Sequence, residues 1–242
     1  AGNDVINAGN GNDVLYGEAG NDVINGGNGD DVLYGGTGND TLSGGNGNDI
    51  YVFGKNTGRD VIYDSSGYNV LRFEEGIKPE DIEVRLSGSY DVIVSLKGGD
   101  TQIVLDYFRY SSYYRSFTLE FADGTVIEAG ADNSPFRTIL GSEGNDSISL
   151  GWYTNMTVYG GEGDDTLNGT SGNDVLYGEE GTDSLNGGNG NDVLYGETGN
   201  DTLSGGNGED IYIFGRNDGK DVIYDSSGAN VIKFVDGITK ED

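Results

Sequence analysis

A large apolar residue returns at every ninth position over two long stretches of this chain. It is Ile6, Leu15, Ile24, Leu33 and Leu42 in the first stretch, and Leu167, Leu176, Leu185, Leu194 and Leu203 in the second. Each sits in the middle of a short triplet such as Val32-Leu33-Tyr34, and six residues rich in glycine separate one triplet from the next. The unit reads G-G-x-G-x-D-x-U-x, with U the apolar residue, as in Gly26-Gly27-Asn28-Gly29-Asp30-Asp31-Val32-Leu33-Tyr34 followed by Gly35-Gly36-Thr37-Gly38-Asn39-Asp40-Thr41-Leu42-Ser43. A repeat this strict predicts a solenoid, with one short strand per unit and the U side chains pointing inward between two sheets. The glycines permit the tight, left-handed backbone of the intervening loops. Position nine alternates, reading Asn7, Tyr16, Asn25, Tyr34, Ser43 and then Asn168, Tyr177, Asn186, Tyr195, Ser204. Alternate units share a sheet, so tyrosines are expected to stack on one outer face and asparagines on the other, as cross-strand support.

The pattern divides the chain into four segments. Residues 1–54 and 141–214 are the two repeat blocks, 55–140 lies between them, and 215–242 follows the second. The aspartates of the unit are Asp4, Asp13, Asp22, Asp31, Asp40 and Asp49, then Asp146, Asp165, Asp174, Asp183, Asp192, Asp201 and Asp210. One unit of the second block, Leu150 to Tyr159, keeps the apolar Val158 without the glycines or the aspartate. It is expected to form a strand without a complete loop. Both blocks close on the same phrase: Asp60-Val61-Ile62-Tyr63-Asp64-Ser65-Ser66-Gly67 returns as Asp221-Val222-Ile223-Tyr224-Asp225-Ser226-Ser227-Gly228. The offset between the two phrases is also the offset between Asp31 and Asp192, so the chain carries about one and a half copies of a super-repeat and reads as a piece of a longer protein. Within 55–140, alternating apolar runs predict strands at 69–73, 82–86, 91–96 and 101–105. Asp123-Gly124 predicts a hairpin between 117–122 and 125–127. Pro79 with Glu80 and Asp81 predicts one helical turn. This segment is expected to be an antiparallel β module that caps the open edge of the first solenoid.

Composition changes the picture by adding charge. Among 242 residues there are 45 glycines, no cysteine, no histidine and a formal charge of −29. Such acidity argues against nucleic acid as a partner, and no apolar run approaches the length of a membrane span. Absent cysteine fits the cytosol, or a secreted protein that is stapled by metal instead of disulfides. Carboxylates delivered in register, one per unit, are hard oxygen ligands of the kind Ca²⁺ takes. Without histidine or cysteine, Ser-His, Cys-His and zinc–histidine sites are unavailable. The carboxylates are periodic, as structural ligands are and a unique active site is not, so no enzymatic activity is expected.

The nonapeptide resembles the RTX (repeats-in-toxin) calcium-binding repeat, and the intervening segment resembles the haemolysin-type calcium-binding-related domain found beside it. The resemblance implies an all-β fold of two parallel β-rolls, with several Ca²⁺ ions held between loops of adjacent turns. It implies that each ion takes sixth-position carboxylates two units apart, such as Asp13 with Asp31 and Asp22 with Asp40. Backbone carbonyls at positions two and four of the earlier loop and one and three of the later supply the rest. The carbonyls so implied are those of Gly9, Gly11, Gly20, Gly26, Gly27, Asn28, Gly29, Gly35, Gly36, Thr37, Gly38, Gly44 and Asn46 in the first block. In the second they are those of Gly187, Gly188, Asn189, Gly190, Gly196, Thr198, Gly199, Gly205 and Asn207. It further implies a calcium-triggered folding and scaffold segment of a large secreted bacterial adhesin- or toxin-like protein, exported by a type I system, monomeric, with a cell-surface or carbohydrate target for the parent. The other roles it leaves open are the secretion appendage of a protease or lipase, and a ligand-binding module. The aromatic cluster Tyr107, Phe108, Tyr110, Tyr113 and Tyr114 reads as a packed loop or a ligand platform.

Overall fold

The structure, a computed structural model, describes residues 1–64, 66–87, 91–105, 117–129, 131, 134–149, 154–225, 227–235 and 237–238. The 106–115 aromatic cluster therefore lies outside the described residues. The chain forms two compact units, 1–136 and 137–242.

In the first unit the strands are β1 (Val5–Asn10), β2 (Val14–Tyr16), β3 (Val23–Asn28), β4 (Val32–Tyr34), β5 (Thr41–Asn46), β6 (Ile50–Phe53), β7 (Arg59–Ile62) and β8 (Val70–Phe73). Odd and even strands separate into two parallel ladders, one running β1-β3-β5-β7 and the other β2-β4-β6-β8. Register follows the repeat: Ile24 pairs with Ile6 and Leu42, and Leu33 with Leu15 and Tyr51. Two nonapeptides thus make one coil of a β-roll. Ile24, Leu33, Leu42, Tyr51, Ile62 and Leu71 are the apolar filling between the sheets, each at most 1 % exposed. The outward residues behave as alternation requires. Tyr16 and Tyr34 stack at 4.6 Å, and Asn7, Asn25 and Ser43 align on the other sheet.

The next strands are β9 (Ile82–Ser87), β10 (Asp91–Leu96), β11 (Gln102–Leu105), β12 (Thr118–Phe121) and β13 (Val126–Glu128). They match the predicted runs, with a 3₁₀ turn at Pro79–Asp81 and a turn at Asp123-Gly124. The expected antiparallel pairing is present within β9-β10-β11 and β12-β13. The strands that meet the roll do so in parallel, however: β11 on β7 and β12 on β8. The module is therefore mixed. The reason lies in β7 and β8, which keep the x-U-x pattern and extend both ladders past residue 54, so that the covering strands continue a parallel edge. Phe73 stacks on Phe121 at 5.2 Å across one of these joins, and Arg72 pairs with Glu120 at 2.8 Å on its half-exposed face.

The second unit repeats the roll with β14 (Thr138–Leu140), β15 (Ser147–Ser149), β16 (Thr157–Glu162), β17 (Thr166–Asn168), β18 (Val175–Gly181), β19 (Ser184–Asn189), β20 (Val193–Gly199), β21 (Thr202–Asn207), β22 (Ile211–Phe214), β23 (Val222–Ile223) and β24 (Val231–Phe234). Its ladders run β14-β16-β18-β20-β22-β24 and β15-β17-β19-β21-β23. Tyr159, Tyr177 and Tyr195 form a continuous outer stack at 4.6 and 4.4 Å. Burial in this stack, together with its tyrosine neighbours, pushes the Tyr177 hydroxyl up to about 12.

Candidate metal centre

Each sixth-position aspartate stands at the turn from loop to strand, and from Asp22 in the first roll and Asp165 in the second onward its carboxylate reaches back one coil. The backbone N–H of Asp4 donates to Oδ1 of Asp22 at 2.7 Å, and that of Asp22 to Oδ1 of Asp40 at 2.8 Å. On the opposite sheet Asp13 and Asp31 donate in the same way to Asp31 and Asp49, both at 2.8 Å. In the second unit Asp146, Asp165 and Asp183 donate to Asp165, Asp183 and Asp201, while Asp174 and Asp192 donate to Asp192 and Asp210. The structure thus gathers the predicted aspartates into two rows per roll, with bonded partners on adjacent coils.

One oxygen of each carboxylate is used by this bond. The other, Oδ2, is buried without a hydrogen-bond donor at Asp22, Asp31, Asp40, Asp49, Asp165, Asp183, Asp192, Asp201 and Asp210. A buried anionic oxygen with no donor is costly unless a cation meets it. Position-one glycines mark where these oxygens point. A Cβ on Gly17 would lie 2.5 Å from both Asp22 Oδ2 and the Gly35 carbonyl oxygen. On Gly26 it would lie 2.1 Å from Asp31 Oδ2 and 2.8 Å from the Gly44 carbonyl. Gly35, Gly44, Gly187, Gly196 and Gly205 face Oδ2 of Asp40, Asp49, Asp192, Asp201 and Asp210 in the same manner. So these orphaned carboxylate oxygens are cornered against the loop glycines, and at Gly17 and Gly26 against carbonyl oxygen of the next coil as well.

The remaining predicted loop positions are packed coil against coil. Carbonyls of Gly9, Gly11, Gly20, Gly27, Gly29 and Gly38 abut the matching glycine of the next coil, as do those of Gly188, Gly190 and Gly199. Position-three carbonyls of Asn28, Thr37, Asn46, Asn189 and Asn207 each already accept an N–H from the preceding coil, at 2.7–2.9 Å. They keep one lone pair. Among the described residues no group of three acidic side chains is placed to hold a metal ion by itself. The oxygen set is accordingly mixed, with paired carboxylates supplemented by carbonyls. That composition suits a hard cation of flexible coordination, Ca²⁺ above Mg²⁺ or a softer metal.

Four predicted aspartates differ. Asp4 is exposed and Asp13 half-buried, in the first coil. Asp146 Oδ2 accepts the Ser142 N–H and hydroxyl at 2.6 and 2.9 Å, and Asp174 Oδ2 accepts those of Thr170 at 2.6 and 3.1 Å. The unit without an aspartate forms β16, and Met156 stands where the carboxylate would be, its N–H donating to Asp174 Oδ1 at 2.6 Å.

Burial is the main force on these groups. It raises the Asp49, Asp165, Asp192 and Asp201 carboxyls to about 6, against the opposing pull of one backbone N–H each. Asp40, Asp183 and Asp210 move up for the same cause.

Sequence reasoning missed Asp60. It follows Asp40 on the next coil, accepts the Asp40 N–H on Oδ1 at 2.9 Å, and has its Oδ2 buried with no donor. Burial raises its carboxyl to about 7. The signal was in the closing phrase, where Asp60-Val61-Ile62-Tyr63 keeps D-x-U-x behind a short insertion.

Two stacked rows of carboxylates on a parallel β-roll define a calcium-binding solenoid. The family model of the RTX calcium-binding nonapeptide repeat matches four stretches, 1–33, 25–55, 159–194 and 186–219. Over these stretches the chain carries RTX-type repeats, and such repeats bind Ca²⁺ at multiple sites. No curated protein matches it.

Proposed function

We propose that this chain is a calcium-triggered folding and scaffold segment of a large secreted bacterial protein of the adhesin or toxin kind. The observation that carries the reading is the row of buried, donor-less Asp Oδ2 atoms. Each is an unneutralised charge in the folded form, so the coils stack stably only when cations occupy the rows. With a formal charge of −29 and a glycine-rich core, the metal-free chain favours an expanded coil. A chain that is unfolded where calcium is scarce and folds where it is abundant suits passage through a narrow exporter to the cell exterior. The super-repeat supports a stalk built of such segments, in which Asp, Gly and carbonyl groups act as structural ligands and no residue acts on a substrate.

The test is circular dichroism of the isolated chain, first in chelator and then with millimolar Ca²⁺. Coil converting to β is expected. A fully β, heat-resistant form in chelator overturns the reading.

A further inference from the structure

We propose that the first roll carries a further calcium site beyond its last nonapeptide, between Asp40 and Asp60, and that the opposite row stops without one at Asn69. The inference rests on the reading that the aspartate rows hold Ca²⁺, and extends it to a residue outside the matched repeats of this block, which end at residue 55.

Asp60 is only 1 % exposed. Its Oδ1 is fixed by the Asp40 N–H, and its Oδ2 is buried without a donor, as is Oδ2 of Asp40 behind it. The pair therefore repeats the arrangement of Asp22 with Asp40. The insertion that lengthens the spacing does not disturb the stacking. Val61 N–H donates to the Asp40 carbonyl at 2.8 Å, and Gly38 N–H to the Thr57 carbonyl at 2.9 Å. Two uncompensated carboxylates held on successive coils call for a cation there as much as they do inside the repeats.

The other row ends in the opposite way. Asn69 takes the aspartate's place and accepts the Asp49 N–H at 2.9 Å, but its second group is an amide that donates to the Ser66 carbonyl at 3.0 Å. The Ser66 hydroxyl in turn donates to the Gly45 carbonyl at 2.6 Å. Asp64, also buried, is satisfied by the Tyr51 hydroxyl and the Ser66 N–H. On this side donors occupy the Asp64, Gly45 and Ser66 oxygens, and the group that faces the donor-less Oδ2 row of Asp49 is an amide, which aims hydrogens where Asp60 aims a lone pair. Asp221 and Asn230, their counterparts in the second copy of the super-repeat, accept the N–H groups of Asp201 and Asp210 at 2.9 Å in the same two positions.

Calcium bound per chain at saturation, measured by equilibrium dialysis with elemental analysis, tests the inference. Asp60→Asn is expected to bind one ion fewer than the parent chain while keeping its β signal, because Asn69 shows that an asparagine fits this place in the coil. Asp31→Asn serves as the comparison inside the repeats. If Asp31→Asn loses calcium and Asp60→Asn does not, the further site is wrong and the underlying reading stands. If neither loses calcium, the underlying reading itself has failed. Should Asp60→Asn not fold, anomalous diffraction from unaltered chains crystallised with Tb³⁺ decides: a peak between Asp40 and Asp60 is expected. Peaks at Asp22–Asp40 without one there overturn it.

Discussion

The backbone N–H of Asp31 donates to Oδ1 of Asp49 at 2.8 Å, while Oδ2 of Asp49 is shut away from every donor. One bond therefore does two things. It stacks one coil on the next, and it fixes the carboxylate so that its free oxygen points between them. Stacking and cation binding are then parts of one equilibrium, since the oxygen is placed only when the coils are stacked, and stacked coils are stable only when the oxygen is neutralised.

Protons are the weakest substitute for the ion, which gives a pH prediction. Burial raises Asp49, Asp165, Asp192 and Asp201 from an ordinary carboxylate value to about 6. A group raised in the folded state favours folding below its unfolded value, and that contribution is lost as pH rises through the folded one. In chelator, β signal is expected to be greater near pH 4 than near pH 7.5, declining through pH 4–6. The calcium midpoint moves the other way, rising as pH falls through about 6, because each ion must displace protons. An apo form with equal β content at both pH values contradicts this.

The position-one glycines yield a steric prediction. Gly26 has no left-handed backbone to protect, yet a methyl group there would sit 2.1 Å from Asp31 Oδ2. Gly26→Ala must push that oxygen away from the neighbouring carbonyl. Overpacking of this kind costs about 1–3 kcal/mol, equivalent to roughly fivefold to a hundredfold in calcium midpoint. Gly144→Ala, where a Cβ meets nothing within 4 Å, should leave the titration unchanged. Calcium titrations followed by circular dichroism compare the two, and coincident curves would remove Gly26 from the site.

Much of this was legible in the sequence because side-chain identity and coil geometry share a period. Position eight fills the core, position nine stacks outside, and position six immediately precedes each strand. What was not legible is held by backbone. Asp60 joins its row through main-chain bonds that survive an insertion, so fixed spacing overlooks it. Met156 keeps the coil-to-coil bond through its N–H, with no side chain to announce it. Thr170 and Ser142 quiet Asp174 and Asp146 through loop contacts that no nine-residue count reveals. The parallel joins of β11 and β12 to the roll depend on which edge the chain reaches after a long excursion, and alternation alone does not record that.

Selectivity follows from the mixed oxygen set. Shared carboxylates and carbonyls of adjacent coils adapt to the about 2.3–2.6 Å contacts of Ca²⁺, whereas Mg²⁺ demands compact octahedral geometry at about 2.0–2.1 Å and keeps its waters. Equimolar Mg²⁺ is expected to leave the chain largely coil under conditions where Ca²⁺ folds it. Equal β signal with either ion, read by circular dichroism, would show that the loops close more tightly than this arrangement allows.

Position along the row should set how much each aspartate matters. Asp31 is fully buried in mid-row, bonded on one side to the N–H of Asp13 and donating on the other to Asp49. If an ion lies between each successive pair, Asp31 serves two ions, and its loss also frees the Asp13 N–H that held the coils together. Asp4 is exposed in the first coil, and its stacking bond to Asp22 uses its backbone, which alanine keeps. Asp31→Ala is therefore expected to raise the calcium midpoint by roughly tenfold or more, at about 1.4 kcal/mol per decade, while Asp4→Ala shifts it far less. Asp192, the counterpart of Asp31 in the second block and likewise fully buried between Asp174 and Asp210, should reproduce the Asp31 effect on the second roll. Calcium titrations of the three variants, followed by β signal, provide the comparison. Equal midpoints for Asp4→Ala and Asp31→Ala would mean that each loop binds its ion alone, and bridging between coils would have to be abandoned.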